Sequence, residues 1–245
     1  YGGVPVYLTA GEHRIYAHGL RGRGEVAFEP RPEGLVPAAW DAVVADLLLD
    51  ERPYGVDPEA GPHLSLELPV LNLSRSPSAR TRAHLRVLLP EVPPNPDLLP
   101  EGVDPEDLPP AHAEAVLELD AELDAIAPLA SGSLRFDVAL EDLPRKRKRH
   151  LRALGTGELE LEVFLGKAGP AATLKLRVVA DRDHRRVLFP SAIDGSLQEY
   201  GLVPPTGAPT EAPLGLVLSC HGASVPAMNQ ARAYARKDDF AIVAA

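Results

Sequence analysis

The chain has 245 residues, enough to bury a sizeable core in one large domain or two smaller ones. Its formal net charge of −10 argues against general affinity for nucleic acid or anionic membranes. Its apolar runs are broken by Pro, Gly and charge, and none approaches the roughly 18 residues of a membrane-spanning helix. Cys220 is the sole cysteine, so no intrachain disulfide and no cysteine-based zinc site can be built, and a thiol ending an apolar run reads as a small core residue.

In chain order, "VPVYLTA" and "HRIYAHGL" have strand character, and the Gly-rich "RGRGE" suits a hairpin turn. Residues 37–51 place Trp40, Val43, Val44, Leu47 and Leu48 at the spacing of one helix face, with Pro37 suited to a first turn, and predict a core-facing helix. Residues 63–73 and 80–90 alternate as strands, and Pro69 favours an edge position for the first. Residues 90–110 carry eight prolines and predict an extended surface connection. Val116, Leu119, Leu123 and Ile126 then follow at steps of three and four, predicting a short helix closed by Pro128.

From Ser131 the pattern has period two. Leu159, Leu161, Val163 and Leu165 oppose Glu158, Glu160 and Glu162, while Leu174, Leu176 and Val178 oppose Lys175 and Arg177. Such runs make half-buried antiparallel strands, and together with "GSLRFDVALEDL" they predict a sandwich-like sheet. The basic stretch 144–152, "PRKRKRHLR", lacks the interleaved aromatics of a nucleic-acid surface and reads as a solvated connection.

Around Arg185 the pattern changes. "RRVLFPSAIDGSLQEYGLVPP" predicts a hairpin turning at Asp194-Gly195. "LGLVLSC" (214–220) is apolar on both faces, as in a parallel strand covered on both sides, and a short helix and "FAIVAA" complete a β-α-β unit. Ligands of such units sit at the carboxyl ends of the strands, where "CHGAS" falls.

These residues, hairpin, apolar strand, His-Gly turn, helix and strand over 185–245, resemble the opening of an α/β-hydrolase domain of the prolyl-oligopeptidase and esterase type. The resemblance implies an α+β chain, with a mostly β, sandwich-like region (1–184) preceding the first strands of a hydrolase domain (185–245). It also implies an acyl-enzyme mechanism acting on a small-molecule or peptide substrate, without metal or organic cofactor. By position Ala223, then Ser224, would donate the oxyanion-hole N–H, with Gly222 enabling the turn and His221 bracing it. No G-x-S-x-G occurs, so the triad is expected beyond Ala245, in an enzyme of which this chain is the front part. Tyr1 begins the chain and Met228 is the only methionine, which leaves the compartment open, and a bare strand after "FAIVAA" would favour self-association. A non-catalytic β-rich module binding protein or carbohydrate is the rival reading. A nucleotide-binding enzyme lacks its glycine motif, because "GLRGRGE" is followed by no helix and "GTGELE" opens a strand.

Overall fold

A computed structural model describes residues 34–48, 63–88, 115–139, 156–167, 169–180, 182–206, 215–220, 222 and 225–245. Strands of alternating pattern build two facing sheets. In the first, β4 (His63–Asn72) pairs along one edge with β7 (Ser131–Ala139), and along the other with the short strands β1 (Leu35–Pro37) and β2 (Val43–Val44). The second runs β3-β9-β8-β5-β6, formed by Leu47–Leu48, Pro170–Val179, Gly157–Leu165, Thr81–Leu88 and Ala115–Leu123. Leu66, Leu68, Val70, Leu134 and Phe136 from the first sheet share one core with Leu85, Val87, Leu161, Val163 and Leu176 from the second. The outward positions carry charge, as in Arg86–Glu162 and Lys175–Glu158, and face water. This is the expected sandwich, produced by period-two patterning over strands of eight to ten residues.

A third, four-stranded sheet has the order β10-β11-β13-β12, from Arg185–Pro190, Leu197–Val203, Phe240–Ala244 and Gly215–Ser219. The β10–β11 turn closes at Gly195, whose φ of 72° is left-handed and favours glycine. β12 and β13 run parallel, and between them in sequence lies helix α1 (Ala227–Arg232).

The expected α+β class is corrected. Among the described residues there are thirteen strands, one 3-10 turn and one helix of six residues, so the described structure is nearly all β. The assignment of 185–245 as the first part of an α/β-hydrolase domain falls with that class.

Two predicted helices are strands for identifiable reasons. Residues 115–123 also fit period two, with Leu117 and Leu123 inward and Glu118, Asp120 and Glu122 outward, and the free edge of β5 supplies a partner along the whole length. Over 37–51, the pairs Val43-Val44 and Leu47-Leu48 enter different sheets as β2 and β3, and Trp40 stands half-exposed on the 3-10 turn Ala39–Asp41. Pro69 is likewise on a central strand rather than an edge. Its carbonyl accepts the Ala38 N–H at 2.7 Å, so its nitrogen faces the same side, where that turn interrupts pairing between β1 and β2 and no donor is needed. The proline-rich stretch 90–110, the strands expected before residue 34, and the basic stretch 144–152 lie outside the described residues.

One buried polar side chain fixes the end of the sandwich. Asn72 Nδ2 shares its two hydrogens among the carbonyls of Ser76, Ile126 and Ala127 at 2.9–3.1 Å, while its Oδ1 accepts from the Ser74 N–H and hydroxyl. Both ends of the amide are satisfied at 1% exposure, so the residue ties two loops together without a desolvation penalty.

Two carboxylates join the sandwich to the third sheet. Asp46 Oδ2 accepts from Arg177 Nη2 at 2.6 Å and from the Arg186 N–H at 2.7 Å. Glu67 accepts from the Ser133 hydroxyl, from Arg135 at 3.0 Å and from the Leu197 N–H at 2.8 Å. Burial works to raise the Glu67 pKa, but those hydrogen bonds outweigh it and hold the group below its ordinary value.

Candidate functional site

The turn that follows β12 is reached through close packing of small residues. Helix α1 buries Ala227, Met228 and Ala231 against the sheet, and Ala231 joins Val203, Ile242 and Ala244 in a second, smaller core. A Cβ at Gly201 on β11 would stand 2.6 Å from the Ala231 Cβ and 2.8 Å from the Ala227 carbonyl oxygen, so only glycine lets the helix lie this close.

The carboxyl end of β12 is held by a polar cluster. Ser219 Oγ lies 2.8 Å from Tyr234 Oη, and Gln230 Nε2 donates to Ser219 Oγ at 3.1 Å and to Tyr234 Oη at 3.2 Å. The Ser219 carbonyl also accepts the Ala245 N–H at 3.0 Å. Sequence reasoning passed over these three residues. The available signal was the four-residue spacing of Gln230 and Tyr234, which puts both on one side of a helical stretch.

Of the predicted site residues, Gly222 is described and His221, Ala223 and Ser224 lie outside the described residues. Gly222 is exposed, its carbonyl accepts the Val225 N–H at 3.1 Å, and no atom lies within 4 Å of where a Cβ would stand. A side chain at this position would therefore meet open space.

Two expectations about the approach to the turn are corrected. β12 is the last strand of its sheet and is not covered on both sides: Leu216 and Leu218 are each 67% exposed and Val217 is 40% exposed. Cys220 is exposed rather than a core thiol. Among the described residues, no group of three His, Cys, Asp or Glu side chains is placed to hold a metal ion.

No protein-family model matches the chain, and no curated protein matches it. Among solved structures, the alkylpurine DNA glycosylase AlkC of Pseudomonas fluorescens, bound to DNA containing an abasic-site analogue, shares 8% identity at a TM-score of 0.33. The match covers 61% of this chain and 32% of that one, so the chain spans about a third of that structure's length. A likeness this distant carries no argument about fold or function.

Proposed function

We propose that this chain is the front section of a serine hydrolase, a peptidase or esterase working through an acyl-enzyme, to which it contributes the oxyanion-stabilising turn. The observation that carries the reading is local. A parallel β12-α1-β13 crossover delivers Gly222, with open space before it, to the carboxyl end of a strand. Chemistry of this kind recurs on unrelated folds, so the reading rests on the turn and not on the class of the chain.

In such a reaction the attacked carbonyl oxygen becomes an anion. Fixed N–H donors then stabilise it by about 3–4 kcal/mol each in a site that excludes water. Ala223, with Ser224 next, would present those donors, and His221 would brace the turn. The Ser219–Gln230–Tyr234 cluster anchors the strand end from which the turn departs, which limits the reorganisation needed as charge develops. The nucleophile, its base and the orienting acid would come from residues outside this chain.

The test uses the full-length protein and a fluorophosphonate probe for activated serines. The expected result is one labelled serine outside these 245 residues, with no nitrophenyl-ester turnover by the chain alone. Gly222→Val in the full-length enzyme should lower kcat/KM, because its side chain would occupy the space through which a substrate carbonyl reaches the turn, with thermal unfolding little changed because no atom lies within 4 Å of the new Cβ. A labelled serine inside this chain would overturn the placement of the nucleophile. Absence of any labelled serine would favour the second reading, a non-catalytic module binding protein through the exposed apolar edge of Leu216, Leu218 and Phe240.

A further inference from the structure

A cleft separate from the turn lies where the start of β8, the end of β9, the link into β10 and the last residue of α1 meet. It has a volume of about 550 Å³, within the range of small-ligand sites, and is lined by Glu158, Arg177, Asp183, His184 and Arg232 among others. In a chain of net charge −10, this cleft sets two arginines against two acids.

Its acids are committed elsewhere. Glu158 pairs with Lys175 at 2.6 Å, and Asp183 Oδ2 accepts the Ala180 N–H at 2.9 Å. Its arginines keep donors uncommitted. Arg177 spends Nη2 on Asp46 and on the His184 carbonyl, while its buried Nε has no hydrogen-bond partner. Arg232 is exposed and has no hydrogen bond or ion pair among the described residues. Arg236 stands close by, donating to the Arg182 carbonyl at 2.8 Å. The imidazole of His184 registers the result. Burial lowers its pKa first, then the charges of Arg236 and Arg177; Asp183 opposes them, and Arg232 adds the smallest downward effect.

We propose that this cleft binds a small ligand through a carboxylate or phosphate group, held by the Arg232 guanidinium beside Arg177. A guanidinium offers two parallel N–H donors to two oxygens of such a group, and its desolvation is offset by the charge it meets. The inference is independent of the hydrolase reading, because it uses none of the residues at the β12 turn.

The experiment follows the His184 ring proton by NMR in the intact chain. Inorganic phosphate is titrated in one arm and succinate in another, each against sodium chloride at equal ionic strength. Saturable binding in at least one arm is expected, with the His184 pKa rising as the bound anion offsets its arginine neighbours. The tighter arm identifies the oxyanion. Arg232→Gln should weaken binding roughly tenfold, the loss of a charge-assisted hydrogen-bonded pair. Lys167→Gln, which removes one exposed charge at the β8–β9 turn, should leave it unchanged. The proposal is overturned by a chloride response equal to that of both anions, by no saturation in either arm, or by equal weakening in the two variants.

Discussion

In the sandwich, strands β4, β8 and β9 turn Leu66, Leu161 and Leu176 fully inward and set their charged neighbours in water, so each strand finds both its environments within the chain. In the third sheet, β12 is apolar on consecutive residues, and Leu216 and Leu218 are 67% exposed while its outer edge has no partner strand among the described residues. The difference lies in what each pattern requires. A strand that alternates needs one partner face, and a strand apolar on both faces needs two, together with a neighbour for its edge. The described residues supply the first fully and the second only in part.

Leucine-to-alanine substitutions break this comparison most directly. Leu161→Ala removes a wholly buried side chain from a core that two sheets share, and should cost about 2–5 kcal/mol in chemical denaturation. Leu218→Ala, the same change on β12, should alter stability by about 0.5 kcal/mol or less and reduce self-association in sedimentation, since it trims an exposed apolar edge. Equal costs at the two sites would mean that the β12 side chain is covered in solution.

The links between the two regions come next. Asp46→Ala leaves the Arg177 guanidinium and the Arg186 N–H without a carboxylate partner in a part-buried setting, with an expected loss of about 2–3 kcal/mol. Hydrogen exchange should localise the effect, with amides of β10 and β11 losing protection while those of β5 and β8 keep theirs. Uniform loss across both regions would show that the sandwich and the third sheet unfold as one unit.

The sequence carried the sandwich better than its own periodicity suggests at first pass. Strict alternation identified β4, β5, β7, β8 and β9 because inward and outward residues differ at every step. It was missed at β6, where the apolar residues fit both a helix and a strand. The deciding signal there was the acidic series Glu118, Asp120, Glu122, which a helix would have spread around its circumference. The positions of Asp46 and Glu67 could not be read from the chain, since their partners lie between 66 and 140 residues away. At the candidate site, glycine and strand order were legible. The Ser219–Gln230–Tyr234 cluster depends on how closely α1 settles over Gly201, which only packing determines.

Glu67 offers the smallest and most specific effect. Its pKa is held below the ordinary 4.5 by Ser133, the Leu197 N–H and Arg135, which together overcome the upward pull of burial. A carboxyl whose folded pKa is depressed contributes stability that is present above its unfolded pKa and is lost as pH falls through the folded one. Unfolding free energy should therefore drop below about pH 4.5 in the wild type, and Glu67→Gln should flatten that part of the profile. Above it the variant should lose about 1 kcal/mol, because the amide still accepts the Leu197 N–H but no longer pairs with the Arg135 charge. An unchanged acid profile would show that Glu67 does not carry the acid sensitivity of this junction.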